Sequence, residues 1–425
     1  GNRYIDGVSS LWCNVHGHRV KTINQAICRQ LEKIAHSTLL GLASPPSIEL
    51  AARLCQIAPG RLNKVFYSDA GATALEVAVK MAVGSFHHRG QPAKNKLIAF
   101  RGAYHGDTTG AMSVGYSNLF HRPFRSMVFE TFWAPAADPC RPPESLAAKR
   151  PELSSTWPSE DPQWGECLRD HCLCQLETLL EQHAKVAAAV VIEPLVQGAA
   201  GMICQPPGFL RGVADLAASH NVLLIADEVA TGFGRTGAMF ACEHEQIEPD
   251  ILALAKGLSG GYLPLAATLA TDSIEQAFCG EPTENRTFFH GHTYTGNALG
   301  CAAALASLDL FEQCHLLEHV RKSAAIISES LAALHENPHV LDIRQRGLMV
   351  GIELCRSRAA YQLFDPARRV GAALCAAMRP KGLIIRPLGD VLILMPSCAM
   401  PHDILNKMLQ IVVETLEENP EIRKA

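Results

Sequence analysis

The chain has 425 residues, which is too long for one small hydrophobic core and predicts two or three domains. Its 38 Lys and Arg against 42 Asp and Glu leave a net charge of -4, so charge favours neither nucleic acid nor a membrane surface as a partner. No run approaches the roughly 20 apolar residues that a membrane-spanning helix needs. The composition therefore favours a protein that acts on small molecules, without nucleic acid or membrane as partner.

The fifteen cysteines are scattered and lack the regular spacing of a small secreted disulfide framework. This usage predicts a reducing environment and a cytoplasmic location. The densest group is Cys167, Cys172 and Cys174, with His171 close by in the sequence. Because it lacks the paired C-x-x-C spacing of structural zinc sites, we predict no metal there.

Residues 1–43 contain "YIDGVSSLWCNVHG" and a short helical stretch, too little to fold alone. We expect them to pack against the C-terminal part as one half of a small domain. The first residue is glycine, and we expect a further N-terminal piece before it.

Residues 44–300 alternate short apolar runs with helical stretches. Strands buried on both faces of a parallel sheet have this continuous apolar character. The pattern predicts an α/β domain with a large, mainly parallel sheet covered by helices. The predicted strands are 64–69, 96–100, 127–132, 186–194, 221–229, 250–257 and 265–271.

The proline-rich stretch 133–165 interrupts this alternation. A segment of this length without a helical or strand pattern is usually a surface excursion or a functional loop, and we interpret it as an insertion. Residues 301–425 combine long helical segments with "LDIRQRGLMVGIEL" and "GLIIRPLGDVLILMP", which predicts a smaller α+β domain.

Lys256 stands at the end of the apolar run "ILALAK". A lysine amine ordinarily titrates near ~10.4, so it becomes a nucleophile at neutral pH only when it is desolvated or near other cations. The apolar strand end supplies the first condition. A lysine bonded to a carbonyl as an imine would also avoid burying an ammonium, whereas a side chain that reaches solvent is the simpler alternative.

Asp227 follows the apolar run "LLIA". A carboxylate at the carboxyl end of a parallel strand lies where open α/β sheets bind ligands, although alone it could also cap a helix. Asp227 and Lys256 follow successive predicted strands. The pair suits pyridoxal phosphate, since the lysine would bind the aldehyde as a Schiff base and the aspartate would keep the pyridine nitrogen protonated.

Two further turns favour the same cofactor. "YSDAGATALEVAVKMA" predicts a strand, a turn of small residues at 70–72 and a helix, whose N-terminal amides can bind a phosphate. "RGAYHGDTTGAMS" places Tyr104 and His105 in a strand-to-helix loop, where an aromatic ring could lie against the cofactor or simply pack.

These stretches together resemble the class III aminotransferases, which are fold-type I pyridoxal phosphate enzymes, over nearly the whole chain. "DEVATGFGRTG" is typical of the whole class. "HGDTTGAMSVG" combined with "HGHTYTGNALGCAAALA" is narrower and is similar to the diaminopelargonate aminotransferases of biotin synthesis. The resemblance implies amination of 7-keto-8-aminopelargonate (8-amino-7-oxononanoate).

The resemblance also implies the cofactor contacts. Lys256 would bind pyridoxal phosphate and transfer the proton, Asp227 would pair with the pyridine nitrogen, and Tyr104 would complete the catalytic set beside the ring. Gly71 and Ala72 match the phosphate-binding positions, and Glu193 matches an acidic residue below the cofactor.

A homodimer follows from the same resemblance. Thr293 matches a residue that reaches the phosphate in the neighbouring subunit, with His292 also at the cofactor and Gly291 at the substrate. The active site is therefore expected at the subunit interface.

The substrate positions carry the departures from the family. Arg386 matches the arginine that grips the substrate carboxylate, a task suited to a guanidinium fork. Leu11 and Trp12 stand where many members have two tryptophans, and Ile393 stands where some members have a tyrosine.

Three alternatives stay open at this point. The amino donor could be S-adenosylmethionine, which we prefer, or lysine. The enzyme could instead be another class III aminotransferase that acts on an ω-amino acid or amine. A non-catalytic α/β binding protein is the third alternative, against which Lys256 argues because such a protein needs no imine-forming lysine.

Overall fold

The computed structural model describes residues 1–148 and 157–418. Its strands are β1 (Ile5–Asp6), β2 (Leu62–Ser68), β3 (Lys96–Phe100), β4 (Thr131–Ala134), β5 (Ala187–Ile192), β6 (Val196–Gln197), β7 (Ile203–Cys204), β8 (Leu223–Asp227), β9 (Ile251–Leu254), β10 (Ala266–Thr271), β11 (Val340–Arg346), β12 (Met349–Leu354), β13 (Leu383–Ile384), β14 (Arg386–Leu388) and β15 (Val391–Leu394). Its α-helices are α1 (Ser9–Trp12), α2 (Lys21–Leu31), α3 (Pro45–Ile57), α4 (Gly71–His88), α5 (Thr109–Val114), α6 (Asn118–His121), α7 (Glu144–Ala147), α8 (Pro162–His183), α9 (Phe209–Ser219), α10 (Asp272–Ala277), α11 (Ala298–Gln313), α12 (Leu316–Leu331), α13 (Val370–Met378) and α14 (His402–Glu418).

The large sheet has seven strands in the order β2-β10-β9-β8-β5-β3-β4. Neighbours from β9 to β4 run parallel, and β10 runs antiparallel to both β9 and β2. Alternate residues of β5 enter separate cores: Val190 lies in the core that contains residues of α8 and α9, and Val191 lies in the core that contains residues of α4. The predicted α/β fold with a mainly parallel sheet is confirmed.

Most predicted strands are present with shorter ends. Strand β3 has the predicted bounds, but the run predicted at 127–132 begins as a strand only at Thr131. The preceding Arg122–Met127 form a 3-10 helix with a proline in its first turn, and that proline favours a helical start. Glu193 and Lys256 lie just beyond the carboxyl ends of β5 and β9, so these two polar residues are outside the sheet itself.

A second, antiparallel sheet has the order β11-β12-β15-β14 and is built from the C-terminal part of the chain. The N-terminal strand β1 pairs in parallel with β13, where Ile5 is opposite Leu383. The two chain ends thus share one structural unit, although the predicted domain limits at residues 43 and 300 stay a prediction. In the described part of the chain, no helix is both long and apolar enough to cross a membrane.

The predicted insertion at 133–165 is narrower than expected, because its first residues belong to β4 and its last residues to α8. Residues 149–156 of this prediction lie outside the described residues. Among the described ones, Trp157 is buried and its ring stacks on His335 with centroids 4.5 Å apart. Ser159 Oγ donates to Asp342 Oδ1 at 2.9 Å. The described part of the segment therefore packs on the C-terminal sheet and is not a simple surface excursion.

A buried charge cluster lies under this segment. The guanidinium of Arg344, fully buried, binds the carboxylate of Glu353 and lies 3.6 Å from Asp342. Arg141, from the proline-rich segment, binds the same Glu353. Burial raises the pKa of Asp342 to about 6 although the Arg344 charge opposes the shift. These charges fasten the segment to β11 and β12.

Candidate active site

The predicted site residues converge at one edge of the large sheet. Strands β3, β5, β8 and β9 run parallel, so their carboxyl ends meet at the same edge. Tyr104, Glu193 and Lys256 follow the ends of β3, β5 and β9, and Asp227 is the last residue of β8. Ligands in open α/β sheets bind beyond the carboxyl ends of the strands, which makes this edge the candidate active site.

A cavity of about 750 Å³ opens at this edge. Its walls come from the sheet edge, from the N-terminal segment and from the loop that follows the 3-10 helix Lys256–Ser259. Sequence-predicted residues that line it are Trp12, Gly71, Ala72, Tyr104, Glu193, Asp227 and Lys256. Leu11, Gly291, His292, Thr293 and Arg386 are not among the lining residues.

Lys256 follows β9 with a backbone φ of +39°, in the left-handed region that side chains other than glycine rarely adopt. Such strained residues cluster at functional sites. Burial lowers the pKa of the Lys256 amine, and the charges of Asp227 and Glu193 offset only part of this shift. Its Nζ lies 4.9 Å from the centre of the Trp12 ring. The amine is thus held in the cavity with more neutral character than an exposed lysine has.

Asp227 is held on both carboxylate oxygens. Its Oδ2 lies 2.6 Å from His105 Nδ1, and its Oδ1 accepts the backbone N–H of Val229 at 3.0 Å. Burial would lower the pKa of His105, but the hydrogen bond to Asp227 and its negative charge outweigh burial, and the net pKa is raised. The carboxylate is therefore oriented by two hydrogen bonds, and it favours the protonated form of buried His105.

Glu193 is buried close enough to His105 for their charges to interact. Burial raises its pKa to about 7, while the His105 charge opposes the shift and the Asp227 charge adds to it. The carboxylate accepts the N–H groups of Tyr104 at 3.0 Å and of Gly198 at 2.9 Å. It therefore fixes the backbone of the loop that carries Tyr104 and His105.

The turn before α4 is built from small residues that bring three segments close together. A Cβ on Gly71 would lie 2.6 Å from Val229, and a Cβ on Gly106 would lie 2.4 Å from the Cβ of Ala72. Gly106 also has a φ of +120°, which favours glycine. The first amides of α4 have no carbonyl one turn earlier, so they can bind a phosphate at the cavity wall.

Tyr104 lies in the cavity wall with its hydroxyl donating to Asp107 Oδ2 at 2.7 Å. Burial and this hydrogen bond raise the pKa of the Tyr104 phenol, whereas the positive charge of Arg386 opposes the shift. Arg386 is exposed on β14 and does not line the cavity, but its charge reaches Tyr104.

The N-terminal segment closes one wall with Trp12. A Cβ on Gly198 would approach the Trp12 ring to 3.2 Å, so the ring packs against backbone. Leu11 is 55% exposed. Ile393 is fully buried in the core, is paired with Gly351 and Arg386 in the small sheet, and is not among the residues that line the cavity.

The loop 288–297 lies near the cavity rim. His292 Nε2 is 3.6 Å from Asp69 Oδ1, and Asp69 lines the cavity. Thr293 is exposed, and its carbonyl accepts from His36 at 2.9 Å. Gly291 is exposed, with open space around its Cα. Contacts of these residues with a partner subunit stay a prediction.

Within residues 1–148 and 157–418, no group of three or more His, Cys, Asp or Glu side chains is arranged to hold a metal ion. One thiol, Cys13, lines the cavity next to Trp12.

Sequence comparison gives the family. The model of the class-III aminotransferases matches residues 1–416. This chain belongs to the class-III aminotransferases. A relative from Geobacter sulfurreducens is 50% identical over 400 residues, which cover 94% of this chain and 85% of the relative. One from Anoxybacillus flavithermus is 46% identical over 423 residues, covering 100% and 89%. Both relatives are named adenosylmethionine-8-amino-7-oxononanoate aminotransferase.

Solved structures of this aminotransferase class share the fold. The adenosylmethionine-8-amino-7-oxononanoate aminotransferase of Methanocaldococcus jannaschii has a TM-score of 0.89 at 41% identity, covering 98% of this chain and 90% of that one. An amine transaminase from an uncultivated Pseudomonas species, in its pyridoxal-phosphate-bound form, also has a TM-score of 0.89, at 33% identity and coverage of 98% and 91%. The predicted fold-type I architecture is confirmed.

Two residues of this aminotransferase make contacts at the site that the sequence does not indicate. The sequence does not indicate the contact of His105 with Asp227, because 122 positions separate the two residues and no spacing signals it. Arg235, the arginine of the "DEVATGFGRTG" stretch, is buried and donates to the carbonyls of Trp12, Asn14 and Pro396. A charged residue in a glycine-rich turn was the only available signal.

Proposed function

We propose that this chain is a pyridoxal-phosphate-dependent aminotransferase that converts 8-amino-7-oxononanoate into the corresponding 7,8-diamine in biotin synthesis, with S-adenosylmethionine as amino donor. The observation that carries the chemistry is the pair of Lys256, an amine with a lowered pKa, and Asp227, a carboxylate held by buried His105. The substrate rests on relatives of that name that are 50% and 46% identical over most of this chain.

The residues present fit this cofactor. Lys256 supplies an amine for its aldehyde, Asp227 supplies an anionic partner for its pyridine nitrogen, and the amides at Gly71 and Ala72 supply a phosphate site without a charged side chain. When bound, pyridoxal phosphate supplies an electron sink that carries amino groups between two substrates.

The chain's own residues would then divide the work as follows. Lys256 moves a proton at the reacting carbon, which an amine of lowered pKa does more readily near neutral pH. Asp227 keeps a proton on the pyridine nitrogen. Tyr104 presents its ring and hydroxyl to the cavity, and Glu193 fixes the loop that carries Tyr104.

Substrate selection would lie at the cavity mouth. Arg386 offers a guanidinium for the carboxylate of the keto acid, and its charge already acts on Tyr104. Trp12 offers an aromatic face to a cationic donor such as a sulfonium, whereas Leu11 beside it offers none. Lysine therefore stays the alternative donor.

The working unit is proposed to be a homodimer in the cytoplasm. Three large apolar side chains are strongly exposed. Leu40 is 87% exposed, Leu119 of α6 is 82% exposed, and Phe289 of the loop 288–297 is 72% exposed. Exposed apolar area of this kind often marks an interface, and the exposed Thr293 would reach a partner's phosphate there. All fifteen cysteines are free, which suits a reducing compartment.

A second candidate is an aminotransferase for amines or ω-amino acids. The amine transaminase structure with a TM-score of 0.89 favours this candidate. Its sequence identity to this chain is only 33%, against 50% for the relative from Geobacter sulfurreducens, which argues for the first candidate. The two candidates share the residues at the sheet edge, so only substrates distinguish them.

The test is a half-reaction panel. Holoenzyme is mixed with S-adenosylmethionine, lysine or β-alanine, each without keto acid, and the cofactor absorbance is followed. We expect S-adenosylmethionine at micromolar to millimolar concentration to convert the cofactor, and 8-amino-7-oxononanoate added afterwards to restore it with formation of the diamine. Lys256→Ala is the control. Conversion by β-alanine alone would replace this proposal by the second candidate.

A further inference from the structure

His121 is 1% exposed at the end of α6, and the roles proposed above give it no task. Its two ring nitrogens have different partners. Nδ1 accepts the backbone N–H of Ser117 at 3.1 Å, and Nε2 lies 3.1 Å from Asp107 Oδ1. Because Nδ1 needs its lone pair for Ser117, the ring carries its proton on Nε2 and donates it to Asp107.

Asp107 connects this histidine to the cavity. Its side chain is 70% exposed and lines the cavity, and its second oxygen accepts from the Tyr104 hydroxyl at 2.7 Å. An exposed carboxylate would otherwise be free to change rotamer, so the bond from a buried ring restricts it. The His121 ring also lies parallel to the Tyr104 ring, with centroids 6.4 Å apart and 15° between the planes.

We propose that His121 is a positioning residue that sets the direction of the Tyr104 hydroxyl through Asp107. In this arrangement the Tyr104 hydroxyl donates its proton to the hydrogen bond with Asp107, so its oxygen is available to the cavity only as a hydrogen-bond acceptor. Tyr104 then favours substrate groups that donate, such as an amine, over carboxylates. The identity of the substrate in this inference rests on the proposed function.

A purely structural role would be to hold the turn 117–121, since the backbone N–H of His121 also donates to Ser117 O at 2.8 Å. The two roles use different ring nitrogens and can be separated. Asparagine reproduces the acceptor at Nδ1 and lacks the donor at Nε2. Glutamine reproduces the donor at Nε2 and lacks the acceptor at Nδ1.

The experiment compares holoenzymes of H121N and H121Q with the unchanged protein, with exposed His87→Gln as the matched control. Steady-state kinetics give KM for 8-amino-7-oxononanoate and kcat separately, and thermal unfolding reports the fold. We expect H121N to raise KM about tenfold, the factor for loss of about 1.4 kcal/mol, with kcat changed less and an unchanged unfolding midpoint. H121Q should keep KM within about threefold, since it retains a charge-assisted bond.

Unchanged KM in both variants, or equal losses in both with a lower unfolding midpoint, would overturn the inference. Crystal structures of the two variant holoenzymes make the test independent of the substrate. Separation of Asp107 from the Tyr104 hydroxyl in H121N and its retention in H121Q supports the inference, and retention in both contradicts it. If the unchanged protein does not turn over 8-amino-7-oxononanoate, the proposed function fails while this structural comparison still decides the role of His121.

Discussion

Replacing His105 by alanine should impair the enzyme although His105 itself was not predicted as a site residue. The substitution removes one of the two hydrogen bonds from described residues to the Asp227 carboxylate, which is 4% exposed, and leaves that from the Val229 N–H. A hydrogen bond to a charged group contributes about 1.5–3 kcal/mol, so we expect kcat/KM to fall by about 10- to 150-fold. His105→Asn places an amide donor near the Nδ1 position and removes the charge, so a loss of about threefold to tenfold is expected.

The assay is the single-donor half-reaction followed by cofactor absorbance, with cofactor affinity measured separately. Stability supplies a second readout. Because Asp227 raises the pKa of His105 above its unfolded value of about 6.5, the bond stabilises the fold fully below that value and less as pH rises through the folded pKa. The difference in unfolding midpoint between the unchanged protein and His105→Ala should thus be larger at pH 6 than at pH 9.

Retention of kcat/KM within twofold in His105→Ala would refute this reasoning. So would a midpoint difference that stays constant with pH, because it would mean that the charge of His105 does not contribute.

Substitutions at four other positions test the active site and the buried charge cluster separately. Lys256→Ala should abolish turnover and prevent borohydride from fixing cofactor to the chain in intact-mass spectra; repeated turnover would contradict the assignment. Arg386→Ala should raise KM for the keto acid about tenfold, with Arg386→Lys intermediate, since an exposed charge pair contributes less than a buried one; an unchanged KM would move the carboxylate site elsewhere. Arg344→Met leaves Glu353 with Arg141 and takes the opposing charge away from buried Asp342, which should cost about 3–5 kcal/mol, with a larger loss of unfolding midpoint at pH 8 than at pH 5 because protonation neutralises the Asp342 carboxylate; equal losses would refute this. Leu11→Trp should raise kcat/KM for S-adenosylmethionine relative to lysine by about threefold or more through the added aromatic face, and an unchanged ratio would show that Leu11 does not select the donor.

The sheet could be predicted from sequence because its strands are continuous apolar runs, and the chemistry could be predicted because charged residues follow two of those runs directly. Lys256 and Asp227 are both local signals of this kind. The reversed direction of β10 could not be predicted, since an apolar run has the same character in parallel and antiparallel pairing when both faces are buried.

The contacts missed are those between residues distant in sequence. Ile393 shows one limit, because its buried place in the small sheet depends on pairing with Gly351, 42 positions away. The proline-rich segment shows a second limit. Its composition indicates an irregular path, but the ion pair between Arg141 and Glu353, which fastens it, joins residues 212 positions apart.

The division between cofactor and substrate residues follows from this architecture. Lys256 and Asp227 are fixed by neighbouring parallel strands, whose geometry is set by the core. Trp12 belongs to a short segment with positive φ values at Ser9, Ser10 and Trp12. Arg235 binds backbone carbonyls of this segment, so these hydrogen bonds do not depend on which side chains the segment carries. Side chains of this segment can therefore change without disturbing the sheet edge. Aminotransferases of 26% to 41% identity with TM-scores of 0.89 to 0.90 against this chain fit that division, since their names differ in substrate and not in reaction. We therefore expect a change of substrate in this enzyme to require substitutions in the N-terminal segment and at the cavity mouth, and none at the strand ends.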